Sequence, residues 1–172
     1  MKKTFSILRD ENSSIQTKVQ KSELLMSENL DLNWMAKFVL GKYRRTLNTE
    51  QMQNFTEVYS EFVIKSYSKI VRFYKREQIL KVIAQTPISE NEFVVKCTLN
   101  SPGIDPIKID FAIRKLDDAK FKVFDIIGEG ISLINSNQAE FANILHNAGF
   151  DGLLNDLKAK ISSLKNNNGS TQ

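Results

Sequence analysis

One cysteine and one histidine stand among the 172 residues of this chain, and both scarcities narrow its chemistry. Cys97 has no partner within the chain, so no internal disulfide staples the fold, and cysteine usage is silent about compartment. His146 and Cys97 are not at ligand spacing, and a zinc site needs three or four convergent ligands, so no metal site is expected. His146 falls instead near the expected end of a helix, where an imidazole suits the negative pole. No stretch approaches the ~18 continuous apolar residues of a membrane-spanning helix. A Gly-x-Ser-x-Gly elbow for a catalytic serine is missing, and no internal repeat is present. Gly128-Glu-Gly130 matches neither Gly-x-Gly-x-x-Gly nor a Walker sequence, so it reads as a tight corner, with Ser132 as a cap for the helix that follows.

Charge and apolar content are in good supply. The 24 basic and 20 acidic residues leave a net +4, compatible with an anionic membrane surface or nucleic acid, and charge alone does not choose. A hydrophobic content of 41% in a chain of this length suits one domain with a sizeable core. Residues 14–45 have helical spacing with a break near Asn29, a cap at Asp31 and a stop at Gly41. Asn48 and Gln51 form a capping box, and Met52, Phe55, Tyr59, Phe62, Ser66, Ile70 and Phe73 then make one stripe, predicting a helix of ~25 residues. After residue 77 the period becomes two. Strands are predicted at 78–86, 92–101, 106–116 and 119–128, with turns between them, as an antiparallel meander. Ile107, Ile109, Phe111 and Ile113 alternate with Lys108, Asp110, Ala112 and Arg114, so the apolar face needs a covering layer, and the helices are expected to supply it. Helices over 132–147 and from about 151 to 164 complete an α+β fold. Residues 1–13 are expected as a flexible N-terminal segment, 14–164 as a single domain, and 165–172 as a disordered tail.

Asp125 and Glu129 are the one close carboxylate pair in a motif-like setting. Four apart on a strand they would share a face, so an acid–base pair is conceivable, though a structural role is favoured. Lys65, Lys69, Arg72, Lys75 and Arg76 read as the solvated side of the long helix, or as contacts to lipid head groups, an anionic membrane or an acidic partner. Stacking aromatics are absent from the exposed strand faces, so nucleic acid is not an expected partner.

Residues 31–45 (DLNWMAKFVLGKYRR) and 122–135 (KVFDIIGEGISLIN), with 46–51 (TLNTEQ) and the Phe55, Phe62, Tyr67 helix between them, resemble the MlaC or toluene-tolerance family. The resemblance spans roughly residues 20–160. It implies an NTF2-like curved sheet of about four antiparallel strands with a helical elaboration, and a cavity between sheet and helices that holds lipid tails. It also implies a soluble periplasmic carrier, without enzyme activity or cofactor, that moves phospholipid as cargo between the outer and inner membranes to maintain outer-membrane lipid asymmetry. The implied partners are a diacyl phospholipid, an inner-membrane ABC transporter complex and an outer-membrane lipoprotein complex, with the carrier itself expected as a monomer. Cavity candidates are Phe38, Tyr43, Phe55, Tyr59, Phe62, Tyr67, Phe73, Val95, Ile109, Phe111, Ile113 and Ile127. Head-group or partner contacts are expected from Lys42, Arg44, Arg45, Lys69 and Arg72.

Residues 1–10 (MKKTFSILRD) reach charge at Arg9 before a signal-peptide core accumulates, so the expectation for an exported family is a processed form whose signal has been removed. The chain also departs from the family pattern. Tyr43-Arg44-Arg45 stands where many members have Tyr-Trp-Arg, Phe121 where they have Trp, and residues 135–141 where they have Asn-Tyr-Arg-Ser-Gln-Phe. Two alternatives remain beside the carrier: a small cavity enzyme using Asp125 or Glu129, and a basic interaction module without a ligand.

Overall fold

The computed structural model of the chain describes residues 2–117 and 120–166, with side chains from Ser6 onward. Helices α1 (Lys2–Arg9), α2 (Ile15–Asn29) and α3 (Leu32–Val39) lead through a 3-10 turn (Gly41–Arg45) to α4 (Thr49–Ser68) and a second 3-10 turn (Lys69–Phe73). Strands β1 (Ile79–Pro87), β2 (Glu92–Ser101), β3 (Ile104–Lys115), β4 (Phe121–Gly128) and the two-residue β5 (Ile131–Ser132) follow, and α5 (Leu133–Asn166) closes the chain. The sheet is antiparallel throughout, in sequence order. The four expected strands are present, and β5 is an addition too short for periodicity to reveal.

Local chemistry sets the helix starts. Asn48 Oδ1 accepts from Gln51 N at 2.8 Å while Gln51 Oε1 accepts from Asn48 N at 3.0 Å, so the capping box satisfies two otherwise unpaired donors. Asp31 Oδ1 caps α3 through Trp34 N at 3.3 Å, and its own N–H donates to Val123 O at 2.8 Å, tying the helical layer to β4. The long stripe is divided: α4 covers 20 residues and the remainder tightens into the second 3-10 turn. The two expected C-terminal helices run on as α5, kinked at Gly149, whose φ of 69° suits a residue without a Cβ.

Phe55, Tyr59 and Val63 recur every fourth residue on α4 and are fully buried. They meet Phe141, Leu153 and Leu157 of α5 and Met35, Ala36 and Val39 of α3 in one core. Phe55 and Tyr59 stack at 5.8 Å, with Phe141 edge-on to Tyr59 at 5.9 Å. Truncating one such ring costs about 3–5 kcal/mol.

Residues 1–13, expected as a flexible lead-in, include α1, whose Leu8 carbonyl accepts from Lys18 Nζ at 3.0 Å. Of the expected tail, Lys165 and Asn166 end α5, and residues 167–172 lie outside the described residues.

Candidate functional site

Strand register sorts the side chains of the sheet into two faces. Leu80 and Val82 of β1 pair with Leu99 and Cys97 of β2, while Phe93, Val95 and Leu99 pair with Ile113, Phe111 and Ile107 of β3. Because alternate residues point the same way, one face of β1–β3 carries Leu80, Val82, Phe93, Val95, Cys97, Leu99, Ile107, Ile109, Phe111 and Ile113. These ten are apolar, and beyond the register shift in β1 Gln85 joins them opposite Val95. Val95 and Cys97 at its centre are 8% and 2% exposed, whereas Val82 and Ile107 further out are 56% and 40% exposed. Burial pushes the Cys97 thiol up from its ordinary range, with the Asp110 charge adding to the effect, so this cysteine is an apolar surface element rather than a reactive thiolate.

The helical core meets that face through Val123 and Ile126 of β4, which pair with Ile113 and Phe111, and does not take in its β1–β3 portion, so the expected covering layer is partial. The core also takes in Ala112 and packs on Val94, a directly paired couple on the opposite face, while Val95 and Cys97 fall outside it. The reason lies in how the supposedly wet side of β3 is satisfied. Arg114 lays its guanidinium over Trp34 at 4.4 Å and Phe124 at 4.8 Å. It also donates to Glu92 Oε1 at 2.8 Å and to Asp31 Oδ2 at 3.3 Å. With its charge answered and Ala112 small beside it, the Ala112–Val94 end of the polar register accepts helical contact, while Lys96 and Lys108 stay exposed. None of this is local in sequence, so alternation alone did not reveal that the helices also reach the Ala112 side.

The cavity candidates therefore divide. Phe55 and Tyr59 are sealed in the helical core, and Phe38, Tyr43, Phe62 and Tyr67 pack against it partly buried. Asn137 Nδ2 donates to the Tyr59 hydroxyl at 3.2 Å, and burial holds that hydroxyl above the ordinary tyrosine range. Val95, Ile109, Phe111 and Ile113 share the apolar face, whereas Ile127 pairs with Asp110 on the other. Phe73 is 76% exposed on the second 3-10 turn. Sequence reasoning missed Leu80, Val82, Phe93, Leu99 and Ile107 as members of the same surface, although the alternation through β2 carried that signal.

Asp125 and Glu129 are committed to the corner before α5. Asp125 is buried, accepting from Ser132 Oγ at 2.6 Å and Ile134 N at 3.2 Å. Ser132 Oγ caps Asn135 N at 3.2 Å. Glu129 takes a φ of 48° in the turn and its carboxylate accepts from the Lys108 amide. The two carboxylates thus hold separate backbone donors rather than a shared proton.

Among the head-group candidates, Lys42 sits 5.7 Å from the Tyr43 ring, and Lys42, Arg44 and Arg45 are exposed. Arg44 borders an open cleft of about 540 Å³ with Asn33, Leu47, Met52 and Thr56 at the start of α4. Lys69 and Arg72 lie on the second 3-10 turn, away from that cleft. Lys65 is paired with Glu23 at 2.7 Å and Arg76 with Glu11, so part of the basic helix side is tied to the N-terminal helices. No cluster of metal-ligating residues and no membrane-length apolar helix occurs among the described residues.

A family profile described as MlaC protein matches residues 1–159. The intermembrane phospholipid transport system binding protein MlaC of Haemophilus influenzae is 24% identical over 147 residues, covering 84% of this chain and 67% of that protein. The solved structure of a phospholipid-binding protein from Ralstonia solanacearum, in complex with a phospholipid, is similar with a TM-score of 0.80. The likeness covers 94% of this chain and 92% of that one at 20% identity, so it establishes the fold.

Proposed function

The chain belongs to the MlaC family, and from that premise we infer that it carries phospholipid noncovalently, with the acyl chains lying on the open apolar face of β1–β3. The observation that carries this reading is the ten-residue apolar face left outside the helical core, buried at Val95 and Cys97, exposed at Val82 and Ile107 and part-exposed elsewhere. Contiguous exposed apolar surface of that kind marks a binding groove or interface. Such a surface fits the phospholipid named for the Haemophilus and Ralstonia relatives. Asp125 and Glu129 are spent on backbone donors, which speaks against the enzyme alternative.

Acyl burial contributes ~0.8 kcal/mol per CH2, so two chains of about sixteen carbons give a gross term on the order of 25 kcal/mol relative to water. A lipid in a bilayer already has its tails out of water, and transfer from membrane to protein gains little from this term. Loading and unloading therefore need partners that lower the barrier. A periplasmic shuttle between an outer-membrane lipoprotein complex and an inner-membrane ABC transporter, keeping the outer membrane asymmetric, meets that requirement.

The test is detergent-free purification from a phospholipid-containing bacterial host, then intact mass under native conditions and lipid analysis after denaturing extraction. About one phospholipid per chain is expected. A lipid-free chain that also takes up nothing from vesicles refutes the carrier reading.

A further inference from the structure

We propose that the segment 69–81 docks this protein on an anionic bilayer surface, independently of cargo, with Ile70 and Phe73 entering the headgroup layer and the surrounding lysines facing lipid phosphates. In a 3-10 helix, side chains three apart eclipse one another, so Ile70 and Phe73 project from one edge of the second 3-10 turn. They are 65% and 76% exposed, large and apolar, while Val71 between them is buried and anchors the turn. Charge is concentrated at the same place. Of the 24 basic and 20 acidic residues in the chain, five and one respectively fall in 69–81, namely Lys69, Arg72, Lys75, Arg76 and Lys81 against Glu77. Nineteen of each sign remain elsewhere, so this segment alone accounts for the chain's net +4. Lys69, Lys75 and Lys81 make no ion pair among the described residues, leaving them available to phosphate. Exposed apolar tips flanked along the chain by cations suit an interfacial anchor, and charge complementarity selects an anionic lipid surface.

The test is co-sedimentation of the full chain with phosphatidylcholine vesicles, with and without phosphatidylglycerol, at low and high salt. Binding is expected with phosphatidylglycerol and should weaken as salt rises. Ile70→Ser should weaken it about tenfold, and Lys75→Gln about fivefold. Native mass should show both variants with the wild-type lipid load. The proposal is overturned if wild type ignores phosphatidylglycerol vesicles, even where it binds an acidic protein instead, or if it binds phosphatidylcholine equally well. Unchanged binding in both variants, or loss of cargo along with vesicle binding, also overturns it.

Discussion

Placing one negative charge on each face of the sheet separates cargo contact from folding. Ile107→Glu puts a carboxylate on the apolar face of β3, whereas Thr98→Glu puts one on the other face of β2, directly opposite Lys108 and Lys81. Ile107 is already 40% exposed, so in the empty protein the carboxylate stays hydrated and stability changes by less than about 1 kcal/mol. Under acyl chains the balance differs. The lost contact of a part-covered Ile side chain is worth about 1 kcal/mol, and pressing hydrocarbon onto a carboxylate costs roughly 1–3 kcal/mol more. A total of about 2–4 kcal/mol corresponds to a roughly 30- to 1,000-fold weaker hold on lipid, decisive because exchange with a bilayer is close to balanced. The assay is native mass after purification, with vesicle extraction as a second readout and thermal melting as the folding control. Ile107→Glu should arrive largely empty and Thr98→Glu loaded. Equal loading of the two variants, with both folded, would refute cargo on this face.

Arg114→Met removes the cation from between Asp31 and Glu92 while keeping an apolar stem under Trp34, and the two carboxylates lose their shared partner. With the groups about one-fifth exposed, a loss of about 2–3 kcal/mol is expected in urea titration, and Arg114→Lys should recover only part because it lacks the fork. Tyr59 and Tyr67 are both held above the ordinary tyrosine range by burial, with the nearby Asp125 charge adding to it. A raised folded value means stability is fully present below the unfolded value near pH 10 and falls as pH rises above it, and the fall should be shallower in Tyr59→Phe by urea midpoints from about pH 9 to about pH 11. Asp125→Ala strips the acceptor from Ser132 and Ile134 at the start of α5, lowering stability by about 2–4 kcal/mol, while the folded fraction keeps its lipid by native mass.

Features that depend on neighbours in sequence were legible. The Asn48–Gln51 box, the Asp31 and Ser132 caps and the four long strands follow from spacing and side-chain type, and the family could be recognised from the order of its short motifs. What was not legible was how far the helices reach over each face. Period-two alternation says that Ile107, Ile109, Phe111 and Ile113 lie together, but not how much of either side the helices take. That depends on Arg114 finding Asp31 and Trp34, some eighty residues away in sequence, and a charged residue in isolation reads as solvent-facing. The division of the aromatic stripe is of the same kind: Phe55 and Tyr59 are sealed by Phe141 of α5, while Phe73 lies beyond the end of α4 and is left outside.

The outer strand β1 has a partner on one side only, and almost all of its residues are exposed, Val82 and Ile83 at 56% and 61%. An open edge with apolar side chains is a template on which further chains add strands, and an unladen molecule presents both the edge and the bare face. Two devices blunt it: the ladder slips beside Ile83, and Lys81 places a charge in the strand. On the proposed carrier reading, self-association should therefore be greatest in delipidated preparations, where no cargo shields the chain from aggregation.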